Sequence, residues 1–240
     1  MKQFTQAEQK RLAGEYAVDI LISRGMIFSG MKIGLGTGST AIQAVYRLAE
    51  SLKADKLRNI QAVVTSFQTH MACEELGIPV FSLNSRNIGG VLDLTIDGAD
   101  EIDPENRLIK GGGGALLREK IAAYNSKIFV ILADESKLVP HLGSRFPLPV
   151  EIIEDARVPV IRALEHLGAS CVIREGVKKA GPVITDNGNM ILDCLWKTPV
   201  DAAALEQEIN AVPGVAENGF FTRLRPLVFA ARGDGSIEER

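Results

Sequence analysis

Hydrophobic residues recur along this chain in two patterns, one with helical spacing and one of short extended runs. Apolar positions at helical spacing follow a Thr5–Glu8 capping box, which predicts an amphipathic helix over Gln6–Ser23. The same spacing predicts helices over residues 41–52, 68–76, 115–124, 158–167 and 201–211, with Gly77 as a C-cap and Asp201 as an N-cap. Apolar runs predict strands at Lys32–Leu35, 60–65, 80–83, 92–96, 128–133, 150–153, 169–174 and Leu227–Ala231.

Strands and helices alternate as far as residue 133, which indicates an α/β fold with a mostly parallel sheet and helices on both faces. The pattern changes near Pro147 and Pro149. Two helices, about four short strands and a hairpin signal at Asn187 and Gly188 then predict a small α+β layer of split βαβ type. The strand Leu227–Ala231 can return to the first sheet, and we expect the polar tail after it to be frayed. These patterns predict one domain from residues 1–146 and 222–240, and another from residues 147–221.

Composition and net charge limit the kinds of molecule that this protein is expected to bind. The chain has 240 residues, of which 46% are hydrophobic and 24% charged, as in an ordinary globular protein. Its net charge of −3 indicates a small-molecule partner rather than nucleic acid or a membrane surface. Cys73, Cys171 and Cys194 are scattered, so we expect reduced thiols without disulfides or a cysteine metal site. No apolar run resembles a signal peptide or a membrane span, so we expect a cytoplasmic protein or the mature form of an organellar one.

The stretch KGGGGALLREK, residues 110–120, carries the strongest chemical signal. Its four consecutive glycines are Gly111, Gly112, Gly113 and Gly114. Glycine has no side chain to bury, but it permits positive φ and close approach of a ligand to the backbone. Because a helical run follows at once, the amides of the loop and first turn are expected to form an anion site. Lys110 precedes the glycines, and Glu119 follows them within the helix as a potential base, although an exposed charged helix face is the alternative for Glu119.

A second glycine motif, GTGST, follows the first predicted strand. Its polar members Thr37, Ser39 and Thr40, together with the backbone of Gly38, suit a phosphate at a helix N-terminus. A tight strand-to-helix turn is the alternative. The motif also matches the dinucleotide fingerprint GxGxxA, but the next strand ends without the acidic residue that would hold a ribose, so a dinucleotide is disfavoured.

The acidic run DGADE begins at the carboxyl end of a predicted apolar strand. Ligands bind at that edge of open α/β sheets, so we expect Asp97 and Asp100 to face a ligand, with an exposed acidic turn as the alternative. Lys137, in ADESK, follows another strand and is ambiguous by itself. The three histidines lack metal-ligand spacing, so no metal site is predicted.

Five motifs, GTGST, DGADE, KGGGGALLREK, ADESK and FPLPVE, resemble in order and spacing those of type A ribose-5-phosphate isomerases. The resemblance covers nearly the whole chain. It implies a Rossmann-like domain with a small inserted α+β domain of ferredoxin-like type, assembled as a homodimer or a dimer of dimers. It also implies a sugar-phosphate substrate and catalysis without a metal or other cofactor.

The resemblance also implies roles for individual residues. Glu119 would be the general base that moves a proton between C2 and C1 of ribose 5-phosphate through an enediolate, a reaction of the non-oxidative pentose phosphate pathway. Asp97, Asp100 and Lys110 would contact the sugar, with Asp97 our choice for opening its ring. The substrate would also be bound by Thr37, Gly38, Ser39, Thr40, Gly98, Ala99, Gly111, Gly112, Gly113 and Lys137. Two rival functions are a non-catalytic sugar-phosphate sensor and a transferase with Glu119 as covalent nucleophile.

Overall fold

The structure is a computed structural model, and it describes residues 3–240. These residues form six α-helices, α1 (Gln6–Ser23), α2 (Ala41–Lys53), α3 (Phe67–Leu76), α4 (Leu116–Tyr124), α5 (Arg157–His166) and α6 (Ala202–Asn210). The strands are β1 (Lys32–Leu35), β2 (Gln61–Val64), β3 (Leu92–Gly98), β4 (Glu101–Ile102), β5 (Leu108–Ile109), β6 (Ser126–Asp134), β7 (Leu148–Ile152), β8 (Ser170–Ile173), β9 (Met190–Leu195), β10 (Val215–Asn218), β11 (Phe220–Phe221), β12 (Leu227–Ala231) and β13 (Ile237–Glu239). Within residues 3–240, no helix is both long and apolar enough to cross a membrane.

One compact unit contains a six-stranded sheet in the order β13-β12-β6-β3-β1-β2. It comprises residues 3–98, Arg118–Lys137 and Pro226–Arg240. All neighbouring strands are parallel except β13, which runs antiparallel to β12 at the sheet edge. Because β12 lies beside β6, the last long apolar strand does return to the first sheet, as predicted.

Helices cover both faces of this sheet. On one face, Leu21 of α1 and Val45 of α2 share an apolar core with Leu94 of β3. On the other face, Ala122 of α4 packs in a cluster with Val63 of β2. The strands are therefore buried on both sides, which accounts for their nearly continuous apolar sequences and confirms the predicted α/β class.

The other compact unit comprises Ala99–Leu117 and Leu138–Arg225. Its main sheet is antiparallel, in the order β10-β7-β9-β8. The elements follow one another as β7-α5-β8-β9-α6-β10, so each helical crossover skips a strand, and this arrangement is the predicted split βαβ, or ferredoxin-like, fold. A small antiparallel sheet, β11-β5-β4, belongs to the same unit.

The compact units divide the chain differently from the predicted domains, because residues 99–117, 138–146 and 222–225 group with the antiparallel sheets. A unit defined by contacts need not fold by itself. The domain limits of 1–146 with 222–240 and of 147–221 therefore stay a prediction.

Two sequence predictions are wrong. Residues 80–83 form no strand: Val80 makes a single bridge to Ala62, and a turn that begins at Ser82 then leads the chain away. The polar tail is not frayed, because residues 232–236 make a hairpin turn that returns β13 to β12. Gly235, at φ 88°, is the residue that permits this turn, and the Asp234–Gly235 pair is a hairpin signal that our sequence interpretation overlooked.

Candidate active site

The GTGST loop connects β1 to α2, and its glycines are required by geometry. Gly38 has a φ of 98°, which disfavours any side chain. A Cβ on Gly36 would lie 1.9 Å from Oδ1 of Asp97, so only glycine lets the two segments approach. The Thr37 amide donates to the same Oδ1 at 3.2 Å. The loop and the end of β3 are thus packed against each other within one unit.

The hydroxyls of this loop have different surroundings. The Oγ1 atoms of Thr37 and Thr65 are 2.7 Å apart, whereas Ser39 is exposed and its Oγ accepts a hydrogen bond from Lys10 Nζ at 3.1 Å. The Thr40 side chain makes no capping hydrogen bond at the start of α2. Lys10, on α1, therefore adds a cation to the loop. The sequence does not single out Lys10, because it looks like any other polar position of an amphipathic helix.

Asp97 ends the apolar part of β3 and is fully buried. Its Oδ1 also accepts the amide of Gly98 at 2.7 Å. A buried carboxylate needs such donors because its desolvation is costly. Asp97 therefore holds the GTGST loop in place, and it is also a candidate catalytic residue.

In the other unit, Asp100 and the glycine segment are brought together. Asp100 Oδ2 accepts the Gly112 amide at 2.7 Å, and a Cβ on Gly112 would lie 2.6 Å from Asp100 Oδ1. The Gly114 amide donates to the Gly111 carbonyl at 3.0 Å, which closes a turn. Positive φ values of 107° at Gly111 and 76° at Gly114 explain why these positions are glycine. Gly112 and Gly113 are exposed at the tip of the turn.

The two charged residues that flank the glycines are both buried. Lys110, immediately before them, is 2% exposed, and its Nζ lies 5.6 Å from the centroid of the Phe221 ring. Glu119, in the first turn of α4, is 3% exposed. This burial rules out the exposed charged face that was the alternative for Glu119. Burying ionisable groups is costly, and such groups are concentrated at functional sites.

Comparison with known proteins identifies the family. A family model described as ribose 5-phosphate isomerase A (phosphoriboisomerase A) matches residues 61–235. A ribose-5-phosphate isomerase A of Treponema denticola is 57% identical over 235 residues, covering 97% of this chain and 98% of that protein. The corresponding protein of Treponema pallidum is 54% identical, with 97% and 92% covered. The chain belongs to the ribose-5-phosphate isomerase A family. Its members are isomerases, so the chain is an enzyme.

Solved structures of ribose-5-phosphate isomerases share the whole fold. The isomerase A of Methanocaldococcus jannaschii has a TM-score of 0.89 at 42% identity, covering 98% of this chain and 99% of that one. A D-ribose-5-phosphate isomerase in complex with phospho-erythronic acid has a TM-score of 0.90 at 38% identity, covering 99% and 100%. These likenesses agree with the α/β sheet and the ferredoxin-like layer described above.

The residues that the resemblance to ribose-5-phosphate isomerase A singled out are divided between the two units. The first unit holds Thr37, Gly38, Ser39, Thr40, Asp97, Gly98, Glu119 and Lys137. The second unit holds Ala99, Asp100, Lys110, Gly111, Gly112 and Gly113. The chain passes between units after Gly98, inside α4, after Lys137 and after Arg225, so DGADE and KGGGGALLREK each contain a crossing and ADESK ends at one. Lys137 itself is half-buried at the end of a 3₁₀ turn, Glu135–Lys137.

Proposed function

We propose that this chain interconverts D-ribose 5-phosphate and D-ribulose 5-phosphate through an enediolate, with Glu119 as the general base. The observation that carries the proposal is the burial of Glu119, 3% exposed, one helical turn after the glycine turn. Burying a carboxylate is costly, and buried ionisable groups are concentrated at functional sites. One such group can carry a proton between adjacent carbons, a contribution of about 10²–10⁴ in rate.

The enediolate needs positive charge or amide donors where its oxygen becomes negative. The glycine turn and the first turn of α4 supply backbone amides, and Lys110 supplies a buried cation next to them in sequence. Loss of one such donor typically lowers kcat by about 10²–10³. We therefore assign oxyanion stabilisation to Lys110 and the Gly113 amide, because the amides of Gly112 and Gly114 already donate to Asp100 and to the Gly111 carbonyl.

We assign the phosphate to the GTGST loop, with Lys137 as a further cation. The support is the loop's position at the N-terminus of α2 and the Lys10 Nζ atom 3.1 Å from Ser39 Oγ. The solved relative in complex with phospho-erythronic acid supports a phosphorylated substrate, because that ligand combines a phosphate with a carboxylate. The two oxygens on the planar carboxylate carbon of that ligand resemble those of an enediolate.

The remaining acids are assigned to the sugar. Asp97 opens the ring, and Asp100 orients hydroxyls while it holds the Gly112 amide at 2.7 Å. We expect turnover without added metal or nicotinamide, in the non-oxidative pentose phosphate pathway of the cytoplasm. We also expect a homodimer or a dimer of dimers, which size-exclusion chromatography with light scattering would test.

The decisive experiment compares wild type, Glu119→Gln and the matched control Glu75→Gln, with ribose 5-phosphate and EDTA. Glu75 is an exposed carboxylate on α3. Glutamine keeps the size of the side chain but cannot accept the C2 proton, so we expect kcat of Glu119→Gln to fall by roughly 10²–10⁴ with KM within a few-fold. Glu75→Gln should match wild type. If Glu119→Gln kept more than a tenth of wild-type kcat, Glu119 would not be the base.

Two further measurements separate the rival chemistries. In D₂O, wild type should exchange the transferred hydrogen of the substrate with solvent, and Glu119→Gln should not. A covalent adduct on Glu119, detected by mass spectrometry after rapid quenching, would instead support a transferase that uses this residue as nucleophile.

A further inference from the structure

Arg174 connects the antiparallel sheet to the glycine turn, and both lie in the same unit. It directly follows β8, and its side chain is 15% exposed. Two of its nitrogens pair with Asp193 of β9, Nε with Oδ2 at 2.9 Å and Nη2 with Oδ1 at 2.5 Å. The remaining nitrogen, Nη1, donates to the carbonyls of Gly111 at 2.8 Å and Gly112 at 3.1 Å.

The glycine turn also packs on the face of that sheet. A Cβ on Gly111 would lie 3.1 Å from Cγ of Pro149, a β7 residue, and a Cβ on Gly114 would lie 3.4 Å from Cδ1 of Ile191, a β9 residue. The sheet therefore provides a packing surface for a segment with little conformational preference of its own. Arg174 makes the polar contacts of this surface with the glycine turn, and Pro149 and Ile191 make the apolar ones.

The two carbonyls that Arg174 binds determine where the next amides point. In a planar trans peptide, the carbonyl and the following N–H point in opposite directions. With the Gly111 and Gly112 carbonyls turned toward Arg174, the N–H groups of Gly112 and Gly113 point away from it. The first of these meets Asp100 Oδ2 at 2.7 Å, as that geometry requires.

We propose that Arg174, held by Asp193, is a positioning residue for the isomerisation, because it fixes the two peptide planes that give the Gly112 amide to Asp100 and direct the Gly113 amide to the enediolate oxygen. The inference rests on the function proposed above for the glycine turn. Four glycines in a row lose more conformational freedom than any other tetrapeptide on adopting one geometry. A charge-assisted pair of hydrogen bonds offsets that loss and polarises both peptides, so the amides are already oriented when the oxyanion forms.

Arginine is required here because only a planar guanidinium has enough N–H donors to bind both Asp193 oxygens and two backbone carbonyls at once. Lysine carries a single point charge and cannot pair with both carboxylate oxygens of Asp193 while it binds two carbonyls. The contacts are made to the backbone, and the phosphate is assigned to another loop. Loss of Arg174 should therefore affect the transition state more than the binding of substrate.

The test uses Arg174→Lys and Arg174→Met, with Arg47→Lys as a matched control. Arg47 makes an equivalent two-point pair with Asp19, at 2.8 and 2.7 Å, between α2 and α1. A catalytic turn displaced by about 1 Å loses about 10²-fold in rate, so we expect kcat to fall roughly 10- to 100-fold in both Arg174 variants, with KM within about three-fold. Arg47→Lys should keep kcat within about two-fold. Unchanged kcat, or a rise in KM alone, would overturn the proposal.

Amide hydrogen exchange provides a readout that does not depend on activity. In Arg174→Met, exchange within residues 110–115 should become faster while the strands of the parallel sheet stay protected, and Asp193→Asn should give a smaller change of the same kind. Unchanged exchange in residues 110–115 would overturn the positioning role even if kcat fell. A wild-type chain that left ribose 5-phosphate unchanged would overturn the proposed function instead, and exchange would still decide whether Arg174 fixes the turn.

Discussion

Replacing Gly36 by alanine tests the packing of the GTGST loop on Asp97. The added Cβ would lie 2.0 Å from Cγ and 2.6 Å from Cβ of Asp97. Carbon atoms pack best at about 3.5–4.0 Å, so the carboxylate must move by about 1.5 Å. That movement breaks its hydrogen bonds from the amides of Thr37 and Gly98, which measure 3.2 and 2.7 Å.

The expected loss of stability follows from these contacts. Hydrogen bonds to a charged group contribute about 1.5–3 kcal/mol each, and overpacking costs about 1–3 kcal/mol. Because neighbouring effects are not additive, we expect the free energy of unfolding of Gly36→Ala to fall by roughly 2–5 kcal/mol. We also expect kcat to fall by about 10²-fold, since Asp97 is displaced by more than 1 Å.

Urea denaturation and steady-state kinetics with ribose 5-phosphate measure the two effects. Gly98→Ala is the matched control for stability, because its added Cβ would meet only Thr40 Cβ at 3.7 Å and the Leu132 carbonyl at 3.9 Å, both ordinary contacts. That variant should lose less than about 1 kcal/mol. If Gly36→Ala unfolded at the same urea concentration as wild type and kept its kcat, Asp97 would not lie against Gly36.

Three further predictions test other residues. Lys137→Ala should raise KM more than it lowers kcat, because a phosphate contact is made in ground and transition states alike; a pure kcat defect in steady-state kinetics would refute this. Glu101→Gln should lower the free energy of unfolding by about 1–3 kcal/mol in urea denaturation, because an NH2 donor replaces one of the two buried oxygens that accept three amides; unchanged stability would contradict it. Burial raises the pKa of the Cys73 thiol to about 11. The stability that the buried neutral thiol contributes is therefore complete below the ordinary thiol pKa of 9.0 and is lost as the pH rises toward 11. The hydrogen bond with Cys194 lowers the pKa of the Cys171 thiol. At pH 8, iodoacetamide should therefore modify Cys171 before it modifies Cys73, as followed by mass spectrometry.

Much of the fold could be predicted because its signals are local. The capping box at Thr5 and Glu8 forms as predicted, and α1 has the predicted bounds. Gly77 ends α3 in the left-handed conformation, and Asp201 accepts two amides at the start of α6. The strand predicted at residues 80–83 is absent, because a short apolar run has the same sequence pattern whether it pairs along its length or makes a single bridge. Pairing depends on where the neighbouring chain goes, which no local pattern records.

The candidate site divides in the same way. Glycines that need positive φ and acids at strand ends are visible in sequence, so Gly111, Asp97 and Asp100 could be found. Arg174 could not be found, because the carbonyls it binds are 62 and 63 residues earlier in the chain and backbone atoms carry no sequence signature. Lys10 escaped notice for a similar reason, since its partner Ser39 is 29 residues away.

The acids of the DGADE region show why residue type alone cannot assign chemistry. Glu101 is buried and accepts the amides of Gly143, Arg145 and Phe146, so it anchors a loop. Asp97 and Asp100 accept amides as well, from the GTGST loop and from the glycine turn. Each carboxylate therefore fixes a backbone segment whether or not it also contacts substrate. Truncation to alanine would release that segment and lower activity in either case, so only substitutions that keep an acceptor, such as asparagine, can separate the two roles.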